Sequence, residues 1–300
     1  MNLRLMALNI REFVPVLSNV VIKQRINTRY KQLLGAEDWE FLSDSTTVNL
    51  KGIHSSLTGE TIAMAAGVTM VTGTGTTLTD FTTGDLIRFG SEPQAYVVSV
   101  INSAVSLTME TAYGGATSVS SDYSIYRSVY SPSVANVGEI TSIVYQSPLV
   151  EVTEDWLNHV DPERSSTGTP GYYRIFGKTK ADGIVSFEIW PVPNTDYVVK
   201  VYYKKYVADL VEDTDEPVFR PELVEAGALW DCFRLAFAVT RNATWIGLAR
   251  DARSEYMVLL RDALIADVAT SSVSSRVKDT SGGSSYNDDY ATDHDTEDWE

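Results

Sequence analysis

The sequence contains few of the residues from which metal sites and disulfides are built. It has one cysteine and three histidines in 300 residues. Cys232 cannot form a disulfide within the chain, which fits a reducing compartment. The histidines are far apart in sequence and have no zinc-ligand spacing: His54, His159 and His294. We therefore predict neither a metal site nor a cofactor.

Positive charge is also scarce. Lysine and arginine number 24 against 40 acidic residues, which gives a net charge of −16. A protein that holds DNA by neutralising its phosphates needs clustered basic residues, so that class is disfavoured. A protein past which DNA moves without adhering is still compatible with this charge. Residues 279–300 contain eight acids and no lysine or arginine, so we predict a solvated acidic tail there.

Long apolar runs are missing as well. None approaches the roughly 20 residues that a membrane-spanning helix needs. The apolar residues at the N-terminus are interrupted by charge and have no small-residue cleavage site. We therefore expect neither a secretory signal nor membrane insertion.

No lysine occurs between Lys51 and Lys178, which bears on a segment rich in glycine and threonine, residues 71–90 (VTGTGTTLTDFTTGDLIRFG). A P-loop would need a lysine after its second glycine, and a dinucleotide fingerprint would need a third glycine where Leu78 stands. Both also need a following helix, whereas residues 86–89 alternate with period two. The segment predicts a strand, a turn and a strand.

Signals of catalysis are equally weak. The chain has no G-x-S-x-G motif, and no pair of carboxylates stands out among the 40 acids. The apolar stripe of Trp230, Phe233 and Phe237 is typical of a core or a subunit contact rather than a cofactor site. The tail acids lack the glycine of an EF-hand loop. We predict that the protein is not an enzyme.

Helical patterns occur near both ends of the chain. Ser18 can cap a helix over residues 19–34, and Gly35 is a natural stop. Pro221 suits the first turn of a second helix, and a third is predicted from about residue 245 to 270. Residues 271–300 are predicted to be a tail.

The middle of the chain has a different composition. Residues 45–130 contain 27 serines or threonines and only nine charged residues. Apolar residues alternate with period two, and turn signals separate the runs, which predicts a small antiparallel barrel or sandwich. Further along, Thr153 can cap a short helix. Residues 184–190 and 197–206 predict a hairpin across a proline-containing turn at 191–196. The predicted class is α+β.

Five segments in a consistent order resemble the head-to-tail adaptor, or connector, proteins of tailed bacteriophages. They are EDWEFL at 37–42, GTPGYYRI at 168–175, FEIWPVP at 187–193, VYYKKY at 201–206 and ELVEAGALWD at 222–231. The resemblance covers residues 1–44 and 131–270, which we interpret as an adaptor body of helices and the hairpin. The 45–130 module is similar to small β-modules of phage head, neck and tail proteins, and we interpret it as an insertion.

The resemblance implies a dodecameric ring bound under the portal, with a tail or nozzle protein below it. DNA would pass through without specific binding, and no catalytic residue, metal, cofactor or membrane contact is implied. The expected location is the neck of the virion, after assembly in the host cytoplasm.

Two sets of residues are candidates for assembly contacts. The acidic tail would be anchored through Tyr286, Tyr290, Asp298 and Trp299. Lys23, Arg25, Arg29 and Lys31 form either a solvated helix face or a patch that receives an acidic segment of a neighbour.

Two other functions stay open at the level of sequence. The chain could be a different phage structural protein, such as a tail, baseplate or receptor-binding component that uses the β-module to bind sugar. It could also be a cell-wall hydrolase, although the sequence offers no acid pair to test.

Overall fold

The computed structural model of the chain describes residues 1–278 apart from 91, 93 and 180–183. The chain forms two compact units. The first unit combines Met1–Phe41 with Asp209–Glu300, and the second is Leu42–Ala208. The class is mixed α and β, as the sequence predicts.

The described part of the first unit is mostly helical. In chain order the helices are α1 Leu3–Phe13, α2 Asn19–Leu34, α3 Glu154–Val160, α4 Pro221–Thr240 and α5 Thr244–Lys278, of which α3 belongs to the second unit. The sequence predicted the bounds of α2, and Ser18 Oγ accepts the capping hydrogen bond from the N–H of Val21 at 3.4 Å. Thr153 caps α3 in the predicted way. Among the described helices, none is long and apolar enough to cross a membrane.

The core of the first unit lies where α4 packs against α1, α2 and α5. Ile22, Ile26, Tyr30 and Leu33 are buried on one face of α2. Trp39 is buried and donates through its indole N–H to the carbonyl of Leu33 at 2.7 Å. The carboxylate of Asp267 in α5 accepts hydrogen bonds from the amides of Glu40 and Phe41, at 2.9 and 3.2 Å. The predicted EDWEFL segment thus ties α5 to the end of α2.

The second unit is built mainly of strands. In chain order they are β1 Ser43–Leu50, β2 His54–Ser55, β3 Thr61–Met64, β4 Met70–Thr74, β5 Leu86–Phe89, β6 Ala95–Ser103, β7 Ser106–Met109, β8 Ser118–Ser121, β9 Tyr123–Tyr126, β10 Val129–Tyr130, β11 Val137–Tyr145, β12 Ser147–Pro148, β13 Val150–Glu151, β14 Thr167–Gly168, β15 Tyr172–Thr179, β16 Ile184–Trp190, β17 Val192–Pro193 and β18 Tyr197–Lys205.

Two four-stranded sheets of this unit share one apolar core. Their orders are β1-β18-β11-β12 and β10-β16-β15-β13. Inward side chains from both sheets, including Phe187 of β16 and Val201 of β18, belong to the same buried cluster. The shared core places these sheets face to face.

The predicted hairpin between residues 184–190 and 197–206 is wrong. Both strands exist, but β16 pairs with β15 and β10, whereas β18 pairs with β1 and β11. The segment that follows β16 leaves the sheet β10-β16-β15-β13, because Val192 and Pro193 pair with Thr167 and Gly168 instead. The two strands therefore face each other across the core rather than lying side by side.

Eight other strands form a single antiparallel sheet in the order β2-β9-β5-β6-β7-β4-β3-β8. Their inward side chains enclose one core of their own, with Val71, Ile87 and Leu107 fully buried. The end strands β2 and β8 are not paired with each other in this order, so the barrel form of the predicted barrel or sandwich is not confirmed. Residues 71–90 contain the two predicted strands, β4 and β5, but the segment that joins them includes a short 3-10 helix, Leu78–Asp80, in addition to a turn. The turn begins at Gly75, whose φ of +70° suits glycine.

The second unit contains residues from two of the predicted domains. The predicted module at 45–130 and the following residues to 208 lie in one unit. That residues 45–130 are an insertion in a body of residues 1–44 and 131–270 stays a prediction.

Candidate assembly site

Three of the four basic residues predicted on α2 are paired within the first unit. Lys23 pairs with Asp213, and Lys31 pairs with Asp209 at 2.6 Å. Arg29 is buried and pairs with Asp231 of α4 at 2.6 Å. Arg25 is half-buried one helical turn before Arg29. The structure brings these residues together on one helix, and their role as an inter-subunit patch stays a prediction.

Arg29 is the centre of a cluster between α2, α4 and α5. Its Nη2 and Nε both donate to Oδ2 of Asp231, at 2.6 and 3.1 Å. Its guanidinium carbon lies 4.8 Å from the ring centre of Trp230 and 5.1 Å from that of Tyr256. A planar guanidinium can pair with a carboxylate in its plane while its faces meet aromatic rings. Three helices are therefore joined through one side chain.

Gly227 makes room for this arginine. A Cβ at position 227 would lie 2.7 Å from Cγ of Arg29, 2.8 Å from its Cδ and 2.9 Å from Cε2 of Tyr256. These distances are shorter than van der Waals contact. The arginine stem cannot swing away freely, because its guanidinium is held by Asp231 and two rings. Gly227, Trp230 and Asp231 all belong to the ELVEAGALWD segment. Their contacts with Arg29 explain why these three residue types occur at these positions.

Replacing Gly227 by alanine should destabilise the first unit by up to about 2 kcal/mol, because overpacking costs about 1–3 kcal/mol and helix propensity returns about 1 kcal/mol. Gly247 of α5 is a matched control, since a Cβ there meets nothing within 4 Å. Gly247→Ala should stabilise by a few tenths of a kcal/mol up to about 1 kcal/mol. Urea unfolding of both variants measures the difference, and equal shifts of the two variants would contradict the packing argument.

Two further arginines lie close to the ring of Trp230. The guanidinium carbons of Arg234 and Arg253 lie 5.8 and 5.6 Å from its ring centre. Both arginines are exposed, and Trp230 itself is half-buried. In the sequence Trp230 belongs to an apolar stripe, and these two arginines are not among the predicted site residues. The i to i+4 spacing of Trp230 and Arg234 on a helix was a usable signal.

Cys232 lies beside this cluster and is buried. Burial, together with the charge of Asp231, raises the pKa of its thiol to about 12. The thiol stays protonated at neutral pH and packs as a small apolar group, as the sequence suggests.

The second unit contains a buried charge network in the GTPGYYRI and FEIWPVP segments. Glu188 accepts from Nε of Arg164 and Nε of Arg174, both at 2.7 Å. Arg174 lies directly opposite Glu188 in the pairing of β15 with β16. On its other side Arg174 reaches Glu154 of α3 at 2.8 Å. The network joins α3, the loop after it and two strands.

Asp161 organises the loop next to this network. Burial alone would raise the pKa of its carboxyl, but hydrogen bonds from the amides of Ser165 and Ser166 and from the indole of Trp190 outweigh burial and lower that pKa well below its usual range. The carboxylate is therefore ionised at neutral pH and holds the loop as a fixed acceptor. Trp190 in turn contacts Trp156 and Tyr172, with ring centres 5.5 and 5.4 Å away.

A polar groove of about 560 Å³ lies between β1, β10 and the turn before β5. Its charged groups are Asp85 and Arg127, whose Oδ1 and Nε are 2.6 Å apart. They neutralise each other, so this groove does not present a free charge to a ligand. Among the described residues, no group of histidine, cysteine and acidic side chains is arranged to hold a metal ion.

The predicted tail anchors Tyr286, Tyr290, Asp298 and Trp299 lie outside the described residues.

Comparison with known families gave one family, described as SU10 adaptor protein, whose model matches residues 61–279. The match covers more than two thirds of the chain. It includes the charge network around Glu188 and the residues of α4 and α5 that contact Arg29, but Arg29 itself lies outside it. A search among curated proteins found no match.

Proposed function

The chain belongs to the SU10 adaptor protein family of phage head-to-tail adaptors, and we propose that it forms a ring in the neck of the virion between the portal and the tail or nozzle. Family membership is the observation that carries this proposal. Proteins of this class are structural, so we propose no catalytic role. We place the protein in the host cytoplasm during assembly and propose a dodecamer for the ring.

Helix α5 supports a role in subunit packing. Its 35 residues correspond to about 52 Å, whereas the 20 residues of α4 correspond to about 30 Å. About 22 Å of α5 therefore has no counterpart in the length of α4. Met257, Val258 and Ile265 are exposed on α5, at 49%, 59% and 57%. Burial of such side chains against a second copy of the chain would stabilise a ring.

The charge of the chain supports passage of DNA without adhesion. A net charge of −16 repels phosphates rather than binding them. The same charge opposes close packing of twelve copies, so the proposal requires that acids be spread out or matched by basic residues of neighbours. We propose that the tail residues named above act as anchors and that residues 45–130 are a module inserted into the 1–44 and 131–270 body.

The test is assembly. The full-length chain, alone and mixed with its portal, should give closed rings by electron microscopy and a single high mass by light scattering. A protein that stays monomeric at all concentrations and does not bind portal would overturn the proposal.

A further inference from the structure

Positive charge lies beside Trp230 and forms no ion pair with the described residues of the first unit. Arg234 and Arg253 approach its ring from α4 and α5. Within the described residues neither arginine is close enough to an acid to form an ion pair. The acid on the same helix turn, Asp231, is already engaged by Arg29. We call the set of Trp230, Arg234 and Arg253 the Arg–Trp surface.

Three acidic side chains of α4 and α5 lie near one another. Burial raises the pKa of the Glu225 carboxyl, and the charges of Glu222 and Glu255 raise it further. Glu225 also accepts a hydrogen bond from Asn9 of α1, at 3.4 Å. These three acids are therefore grouped where α4 meets α1.

Residues 279–300 have the complementary chemistry. They contain eight acids, no lysine or arginine, and three aromatic residues. Carboxylates can pair with exposed guanidinium groups, and aromatic rings can stack on arginine and tryptophan. Several such contacts made together bind acidic segments in preference to basic ones, and the binding weakens as the salt concentration rises.

We propose that the Arg–Trp surface binds the acidic tail, residues 279–300, of a neighbouring copy of this chain. This inference rests on the proposed self-assembly and names one contact within it. We name the neighbour rather than the same chain because the proposed ring would place copies side by side, and because α5 carries the start of the tail away from Arg253 by 25 residues, about 38 Å at 1.5 Å per residue. The tail thus begins far from the surface of its own chain. The proposed contact offsets repulsion between copies, because the most acidic segment of the chain meets two arginines that form no ion pair with the described residues.

A peptide-binding experiment tests this contact. A fluorescent peptide of residues 279–300 is titrated into a chain that ends at residue 278, and fluorescence anisotropy measures binding. We expect saturable binding that weakens as salt rises to about 0.5 M. The double variant Arg234→Glu/Arg253→Glu should bind the peptide roughly tenfold or more weakly. A peptide whose acids are replaced by lysine should bind the double variant better than it binds the unsubstituted chain.

Arg220→Glu/Arg261→Glu is the matched control, because it makes the same charge change at two other exposed arginines of the first unit. Equal weakening in both double variants would overturn the specific surface and leave only a general charge effect. In the full-length chain, the peptide should be excluded only at concentrations where copies associate. Exclusion at concentrations where the chain is monomeric would assign the tail to its own chain and overturn the neighbour contact.

Failure of this inference differs from failure of the proposed function. Rings without peptide binding would reject the tail contact and leave the ring proposal standing. Specific peptide binding by a chain that never forms rings would support the contact and reject the ring.

Discussion

Replacing Glu188 by alanine is expected to lower the free energy of unfolding of the second unit by about 3–5 kcal/mol. The Glu188 side chain is only 6% exposed and bridges Arg164 and Arg174, which are 12% and 10% exposed. Removal of the carboxylate takes the buried ion-pair partner away from both arginines, and Arg174 keeps Glu154, whose side chain is exposed. Urea unfolding followed by circular dichroism measures the loss. Hydrogen exchange in β15 and β16 assigns it to the second unit.

Glu154→Ala is the matched control because it removes a partner of the same arginine. Glu154 lies 2.8 Å from Arg174 but is 65% exposed, so its loss should cost less than about 1 kcal/mol. Glu188→Gln should fall between the two, since the amide keeps the shape and can accept a hydrogen bond. If Glu188→Ala costs no more than Glu154→Ala, burial does not set the strength of this network.

Local signals in the sequence were sufficient for α2 and α3, whereas α5 continues to Lys278 and so includes eight residues that were predicted to belong to the tail. Ser18, the apolar spacing of Ile22, Ile26 and Tyr30, and Gly35 lie within one short segment, and together they fix α2. Thr153 acts in the same way for α3. Such signals need no knowledge of the rest of the chain, because a helix satisfies its hydrogen bonds within itself.

Strand partners were not available from the same kind of signal. Alternation identified β16 and β18 as strands, but it is identical whether two strands pair in one sheet or face each other across a core. The proximity of the strands in sequence favoured a hairpin. In the structure, β18 pairs with β1, more than 140 residues earlier in the chain. Such distant pairings follow from burial of both sheets in a common core and leave no local trace.

The candidate site also contains both features that local sequence signals indicate and contacts that depend on distant residues. On α2, Arg29 and Lys31 are both basic residues of one helix, and the sequence placed them together in one patch. Arg29 is buried because Asp231, 202 residues away, lies across from it, while Lys31 stays 53% exposed. Gly227 gave a signal that could have been used, since a glycine inside an apolar helical stripe often marks close packing.

Arg29→Ala is expected to destabilise the first unit by about 3 kcal/mol or more. The change removes both hydrogen bonds to Asp231, which is itself only 16% exposed, and opens space between Trp230 and Tyr256. Unfolding in urea measures the loss, with hydrogen exchange in α2 and α4 as the local readout. Arg29→Lys should recover only part of the stability, because an ammonium can pair with Asp231 but lacks the flat faces that contact the rings.

Lys31→Ala is the control on the same helix, with the same change of charge. Lys31 and Asp209 are 53% and 47% exposed, so this pair should contribute less than about 1 kcal/mol. Equal losses of stability for Arg29→Ala and Lys31→Ala would contradict the claim that the buried contacts of Arg29 stabilise the first unit. A double variant gives an independent check, because Gly227→Ala should cost less once Arg29 is alanine. The added Cβ would then meet only Tyr256 among its three nearest atoms, so a cost that does not shrink would show that the arginine stem is not what Gly227 accommodates.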